Sequence, residues 1–149
     1  MAIKVSTGAR NKLLDTGSFK SIFDGGKILI YAGAVPADAD AAVTGSLLAT
    51  ITNNGTATGI TFAAAASAGA ISKNTGEVWS NTGAGNSGTG TATHYRLVAA
   101  ADDGTLSITQ ARLQGTVGVA AADLNLSSIN LTTSAIQTID FYSVALPTA

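Results

Sequence analysis

From Lys27 onward the chain is cut into short apolar runs by Gly, Asn and Asp about every ten residues, a punctuation that admits antiparallel β-structure and little else. The densest run is Lys27-Ile28-Leu29-Ile30-Tyr31-Ala32, held between Gly26 and Gly33. Further strands are expected at 47–52, 59–62, 70–72 and 77–79. Residues 91–98 alternate as a half-buried strand would, with Tyr95 and Leu97 on one face and His94, Arg96 and Val98 on the other. Asp102-Asp103-Gly104 reads as a hairpin turn before a strand at 105–108, because Asp-Gly accepts the positive φ of tight hairpins. Residues 112–117 supply the next strand. The apolar phase slips at Ser127-Ser128, which indicates a bulge or corner, and a last strand over 136–146 stops at Pro147. The expected fold is all-β, an antiparallel β-sandwich or jelly-roll-like domain, with no fixed repeat to suggest a propeller or solenoid.

The first residues follow another rule. Ser6 or Thr7 can cap a short helix carrying Ala9, Leu13 and Leu14 at helical spacing, with Gly17 placed to end it in a left-handed conformation. Ser18 offers a second cap for residues 19–23, and Asp24-Gly25-Gly26 breaks the pattern. Two parts are therefore expected: an N-terminal arm with short helices at 1–26, with few apolar residues of its own to bury, and a β-sandwich domain at 27–149. The expected core is Ile28, Ile30, Leu48, Leu97, Leu113, Leu126, Ile139 and Phe141.

Composition narrows the function classes. Only 11% of the 149 residues are charged and 46% are hydrophobic, against roughly 25% charged in ordinary soluble domains. A surface kept wet mainly by hydroxyls and amides suits a subunit that touches others. The net charge of −1 gives no field to gather nucleic acid. No apolar run reaches the ~20 residues of a membrane-spanning helix, and the N-terminus lacks the apolar core of an export signal. No nucleic-acid or membrane partner is expected. The chain has no Cys and one His, so thiolate or paired-imidazole metal sites are not expected, and neither is a cofactor.

Individual motifs support that reading. Gly83-Ala84-Gly85-Asn86-Ser87-Gly88 satisfies GxGxxG as a string, but a strand follows it where a nucleotide site needs a helix, so residues 81–90 read as a hairpin loop or contact tip. His94 has no local triad partner and reads as surface or interface packing. The pairs Asp38/Asp40 and Asp102/Asp103 lack the further acids of a calcium loop and read as turn residues. Trp79 reads as core, and its other role would be a carbohydrate platform. No catalytic, cofactor-binding or metal residues are assigned, and the chain is expected not to be an enzyme.

Several segments taken together resemble small virion structural proteins of tailed bacteriophages: Ser6-Thr7-Gly8-Ala9-Arg10-Asn11-Lys12-Leu13-Leu14-Asp15, residues 28–40, Thr44-Gly45-Ser46-Leu47-Leu48-Ala49-Thr50, His94-Tyr95-Arg96-Leu97, Gly115-Thr116-Val117-Gly118, residues 122–126, Gln137-Thr138-Ile139-Asp140-Phe141 and Ala145-Leu146-Pro147. The resemblance spans nearly the whole chain and brings no catalytic residues. It implies a particle component, located in the virion after assembly in the host cytoplasm. The leading expectation is a capsid decoration or cement protein, a homo-oligomer bridging major capsid subunits or other virion subunits by multivalent contact. The alternatives are a neck or tail subunit, and a carbohydrate-binding adsorption module using Trp79, Tyr95 or the 81–90 loop.

Overall fold

A computed structural model describes residues 3–82 and 88–148. Strand β1 (Lys4–Val5) leads into helices α1 (Thr7–Asp15) and α2 (Phe19–Phe23). The hydroxyl of Ser6 accepts from the Ala9 amide and caps α1. Ser18 caps α2, and Ser21 accepts from the Ser18 amide in return, so two otherwise unsatisfied donors are satisfied reciprocally. Gly17 does not take the left-handed conformation expected of it. Helix α1 instead closes through the amides of Thr16 and Gly17, which both donate to the Lys12 carbonyl.

The β part comprises β2 (Lys27–Ala32), β3 (Ser46–Asn53), β4 (Ala70–Ser72), β5 (Trp79–Ser80), β6 (Gly90–Val98), β7 (Arg112–Gly118), β8 (Leu124–Asn125), β9 (Asn130–Leu131), β10 (Thr138–Ile139) and β11 (Ser143–Ala145). The main sheet runs β1-β7-β6-β2-β3-β5-β10, with β9 added to β6 and β8 added parallel to β7; every other pairing is antiparallel. A two-stranded β4–β11 ribbon forms the second sheet. The fold is all-β and sandwich-like, as the strand pattern led one to expect.

Register explains how the core is built. Ile28 pairs with Leu97 and Ile51, Ile30 with Tyr95 and Ala49, and Leu97 with Leu113, so one face of the sheet is continuously apolar. Onto it pack Phe62, Trp79 and Tyr142, with ring centroids 5.4 to 6.3 Å apart, and Tyr142 meets Tyr95 edge-on. Trp79 is core, as expected, and its indole N–H donates to Glu77, whose carboxylate also accepts from the amide and hydroxyl of Thr61. Gly115 faces Tyr95 across the ladder, and a Cβ there would lie 2.6 Å from the tyrosine ring.

Six expectations are corrected. Residues 59–62 make only isolated bridges to Gly26 and Lys73, and residues 105–108 form no strand, because Asp102 and Asp103 are taken up by Arg112, Thr105 and Gln110 instead of closing a hairpin. The strand at 91–98 is not half-buried: His94 through Val98 are buried on both faces. The strand expected at 136–146 is split, since β10 joins the main sheet and β11 the ribbon. The crossing between them breaks the alternation, so Ile139 and Tyr142 are both buried and Phe141, expected in the core, is 77% exposed. The other seven expected core residues are buried. Finally, the N-terminal segment buries more than its sequence suggested. Phe23 is fully enclosed, and Phe19 stacks between Phe23 and Phe62 because the two α2 phenylalanines lie one turn apart.

Leu97→Ala should cost about 2–5 kcal/mol of folding stability, whereas Phe141→Ala should change it by less than about 0.5 kcal/mol. Denaturant titration of both variants measures the difference, and equal losses would show that this strand register is wrong.

Candidate interaction surface

The second face of the main sheet is polar yet buried. Across it run His94, Arg96 and Val98 of β6, Arg112, Gln114 and Thr116 of β7, and Lys4 of β1. The loops that follow β2 and β6 cover this face. Loop carbonyls without strand partners must find donors when they leave water, and here side chains of the sheet provide them. Gln114 Nε2 donates to the Pro36 carbonyl at 2.9 Å, Lys4 Nζ to Ala37 at 2.8 Å, Arg96 to Asp38 at 3.2 Å, and Arg112 to Ala39 and Asp40 at 3.5 and 3.2 Å. Arg112 also holds the second loop: its guanidinium pairs with Asp102 at 2.5 and 3.2 Å and donates to the Thr105 carbonyl and the Gln110 side chain. Among the described residues the Arg96 guanidinium bonds to an amide oxygen and a main-chain carbonyl and to no carboxylate, and burial lowers its pKa from the ordinary value.

His94 belongs to this layer. It is fully buried, which corrects the expectation of a surface or interface position. Its ring stacks on Tyr31 at 5.3 Å. Thr93 has one hydroxyl proton; given to the Gly33 carbonyl at 2.8 Å, it leaves the oxygen to accept from His94 Nδ1, 2.9 Å away. Nε2 is then a bare lone pair, and among the described residues it has no hydrogen-bond partner. Burial, with the Arg96 charge adding to it, pushes the imidazole pKa down to about 4. Among the described residues no carboxylate hydrogen-bonds to the ring.

The other singled-out acids have structural duties. Asp38 caps the amides of Asp40 and Ala41, and Asp40 accepts from the amide and hydroxyl of Thr7, fastening α1 to the first loop. Bonds from Thr105, with Gln110 adding another, hold the exposed Asp103 carboxyl down at about 2. Among the described residues no group of three or more His, Cys, Asp or Glu is placed to hold a metal ion. No helix there is long and apolar enough to cross a membrane. Residues 83–87, and with them most of the GxGxxG string, lie outside the described residues; Gly88 donates to the Leu48 carbonyl. The described strands on either side, β5 and β6, are not neighbours in the sheet. Trp79 and Tyr95 are both fully buried, which removes them as carbohydrate platforms.

One open feature of the surface is apolar. A groove of about 460 Å³ runs between the helices and the β4–β11 ribbon. Its floor is Ala64, Ala65 and Ala66, and Phe19, Ile71 and Leu146 stand along it. Lys20 is the one charged side chain that lines it, already paired with Asp24 at 2.5 Å and donating to the Phe62 carbonyl. At the rim Leu146 is 76% exposed, and Leu14, beside the groove-lining Leu13, is 86% exposed. The sequence carries one hint of this, the run Ala63-Ala64-Ala65-Ala66, which by itself reads as strand edge or loop and is closed into a groove by residues of the N-terminal helices and of β11. No protein-family model matches the chain, and neither does any curated protein or solved structure.

Two outcomes test this layer. Asp102→Ala leaves the Arg112 charge buried without its carboxylate and should cost about 3–5 kcal/mol. Separately, the unfolded His94 binds a proton near pH 6.5 and the folded one only near pH 4, so stability is full above that window and falls as pH drops through it. The loss by about pH 4 should reach on the order of 3 kcal/mol. Denaturation curves across the window should be shallower in pH for His94→Gln; identical slopes would rule out a buried neutral imidazole.

Proposed function

We propose that this chain is a non-enzymatic structural subunit of a virion, and within that class a capsid decoration or cement protein that bridges major capsid subunits as part of a homo-oligomer. The observation that carries the reading is the open, largely apolar groove, whose one charged lining side chain, Lys20, is already paired, flanked by the exposed Leu14 and Leu146. Burying such a surface against a neighbour gains roughly 25 cal/mol per Å² of apolar area, and permanent assemblies commonly use large, relatively apolar interfaces. The phage resemblance of the sequence supports the same choice. The work of the protein is then contact: each subunit ties neighbours together, and many weak attachments act at once.

The test is binding of the purified chain to particles that lack it. Raising NaCl from about 0.05 to about 1 M screens exposed ion pairs and should leave the bound fraction unchanged, while sub-denaturing urea should release it. Ala65→Arg, at an exposed position of the groove floor, should lower particle affinity at least tenfold with the melting midpoint retained. Release by salt alone, or full binding by the Ala65→Arg protein, would defeat the proposal. A copy number far below that of the capsid protein would move the subunit to the neck or tail.

A further inference from the structure

The exposed position of Phe141 lies over a second concavity, of about 350 Å³, between the corner after β8 and the crossing from β10 to β11. We infer that this is a binding site for an uncharged saccharide, with the Phe141 ring as its platform. The inference goes beyond the assembly role and does not depend on it.

Three observations carry it. First, the ring is held out in water by its neighbours. Ile139 pairs with Trp79 in the main sheet, and the Tyr142 carbonyl accepts from the Lys73 amide while its hydroxyl meets that of Tyr95 at 3.1 Å. With both flanks fixed inward, Phe141 has no route to the core. An aromatic face held in this way offers contact area at little cost in ordering.

Second, the polar groups around it are of mixed kind. Asp123, Asn125, Ser127, Gln137 and Asp140 line the concavity with Phe141. Asp123 is oriented through one oxygen, which accepts from the amide and hydroxyl of Thr116 at 2.8 and 2.9 Å, and its other oxygen bonds to no described residue. Asn125 Oδ1 accepts from the Ala122 amide, which turns its NH₂ group into the available function. Asp140 and Ser127 make no hydrogen bond to another described residue through their side chains. Acceptors and donors therefore line the same concavity as the Phe141 ring. Sugar rings present that same combination: a C–H face for the aromatic ring, and hydroxyls that both donate and accept.

Third, the charge is one-sided. Two carboxylates line the concavity and no Lys or Arg does, so sialylated or phosphorylated glycans are repelled, while a neutral hydroxyl donates to a carboxylate in a strengthened, charge-assisted bond. A guanidinium from a protein partner would also be drawn to carboxylates beside an aromatic ring. It has no acceptor for the Asn125 and Ser127 donors, however, and the saccharide satisfies both kinds.

The experiment is binding of the full chain to an array of immobilised neutral pyranose oligomers and sialylated glycans, followed by saturation-transfer NMR with the best neutral oligomer in solution. Neutral glycans should bind and sialylated ones should not. Phe141→Ala should weaken binding at least tenfold, and Asp140→Asn by several-fold, with both variants keeping the wild-type melting midpoint. Ala65→Arg should bind glycan normally, and Phe141→Ala should bind particles normally, so failure of either proposal leaves the other standing. No binding anywhere on the array, preference for sialylated glycans, or undiminished binding by Phe141→Ala overturns the inference. Binding of an arginine-bearing peptide in place of any sugar overturns it as well.

Discussion

Five successive main-chain carbonyls, from Pro36 to Asp40, are held by the side chains of Lys4, Arg96, Arg112 and Gln114, and the rest of the molecule depends on that clasp. The loop itself has no ladder to join, because Pro36 and the Asp-rich turn exclude a strand. Where the loop is shielded from water, as at the buried Ala39, a carbonyl left without a donor would cost on the order of 1–3 kcal/mol. Arg112 is the pivot because it serves both covering loops, bonding to Asp102 as well as to the first loop. The arrangement takes two of the chain's few cations, Arg96 and Arg112, inside the protein.

The opposite face is organised by ring contacts. Phe62, Trp79, Tyr95 and Tyr142 come from four separate parts of the sequence and meet under the sheet. Burial drives the Tyr95 hydroxyl up to about 12 and the Tyr142 hydroxyl well above its ordinary value, so the pair stays protonated and hydrogen-bonded at any physiological pH. Phe19 and Phe23 extend the same cluster into the N-terminal helices. The segment that reads as a free arm is thereby fastened to the core on one side, and by Thr7 to Asp40 on the other.

These two layers leave different things at the surface. The helices stop short of the ribbon and expose an alanine-floored groove suited to apolar contact. The crossing between the two sheets ejects Phe141 beside carboxylates and amides, suited to a small polar ligand. Attachment to a particle and recognition of a glycan are compatible in one subunit, because the two surfaces are built from different residues; only the β11 end of the chain adjoins both.

The amino-acid sequence by itself determined the class of fold, because short β-forming runs between turn residues have few other ways to satisfy their backbone. It determined the strands with the clearest boundaries, β2 and β4, the second helix start at Ser18 and the first to within Ser6 or Thr7, and seven of the eight expected core residues, since alternation and capping are local chemistry. Tertiary structure alone decided the rest. His94 and Arg96 look like a solvent face in sequence, and only the loops folded over them make that face interior. Asp102 reads as a turn residue until Arg112 of the neighbouring strand claims it. Phe141 looks buried by alternation, but alternation holds only within one strand, and the chain changes sheets between Ile139 and Ser143. Both candidate surfaces arise at such junctions, where residues far apart in sequence set the outcome and no local pattern carries it.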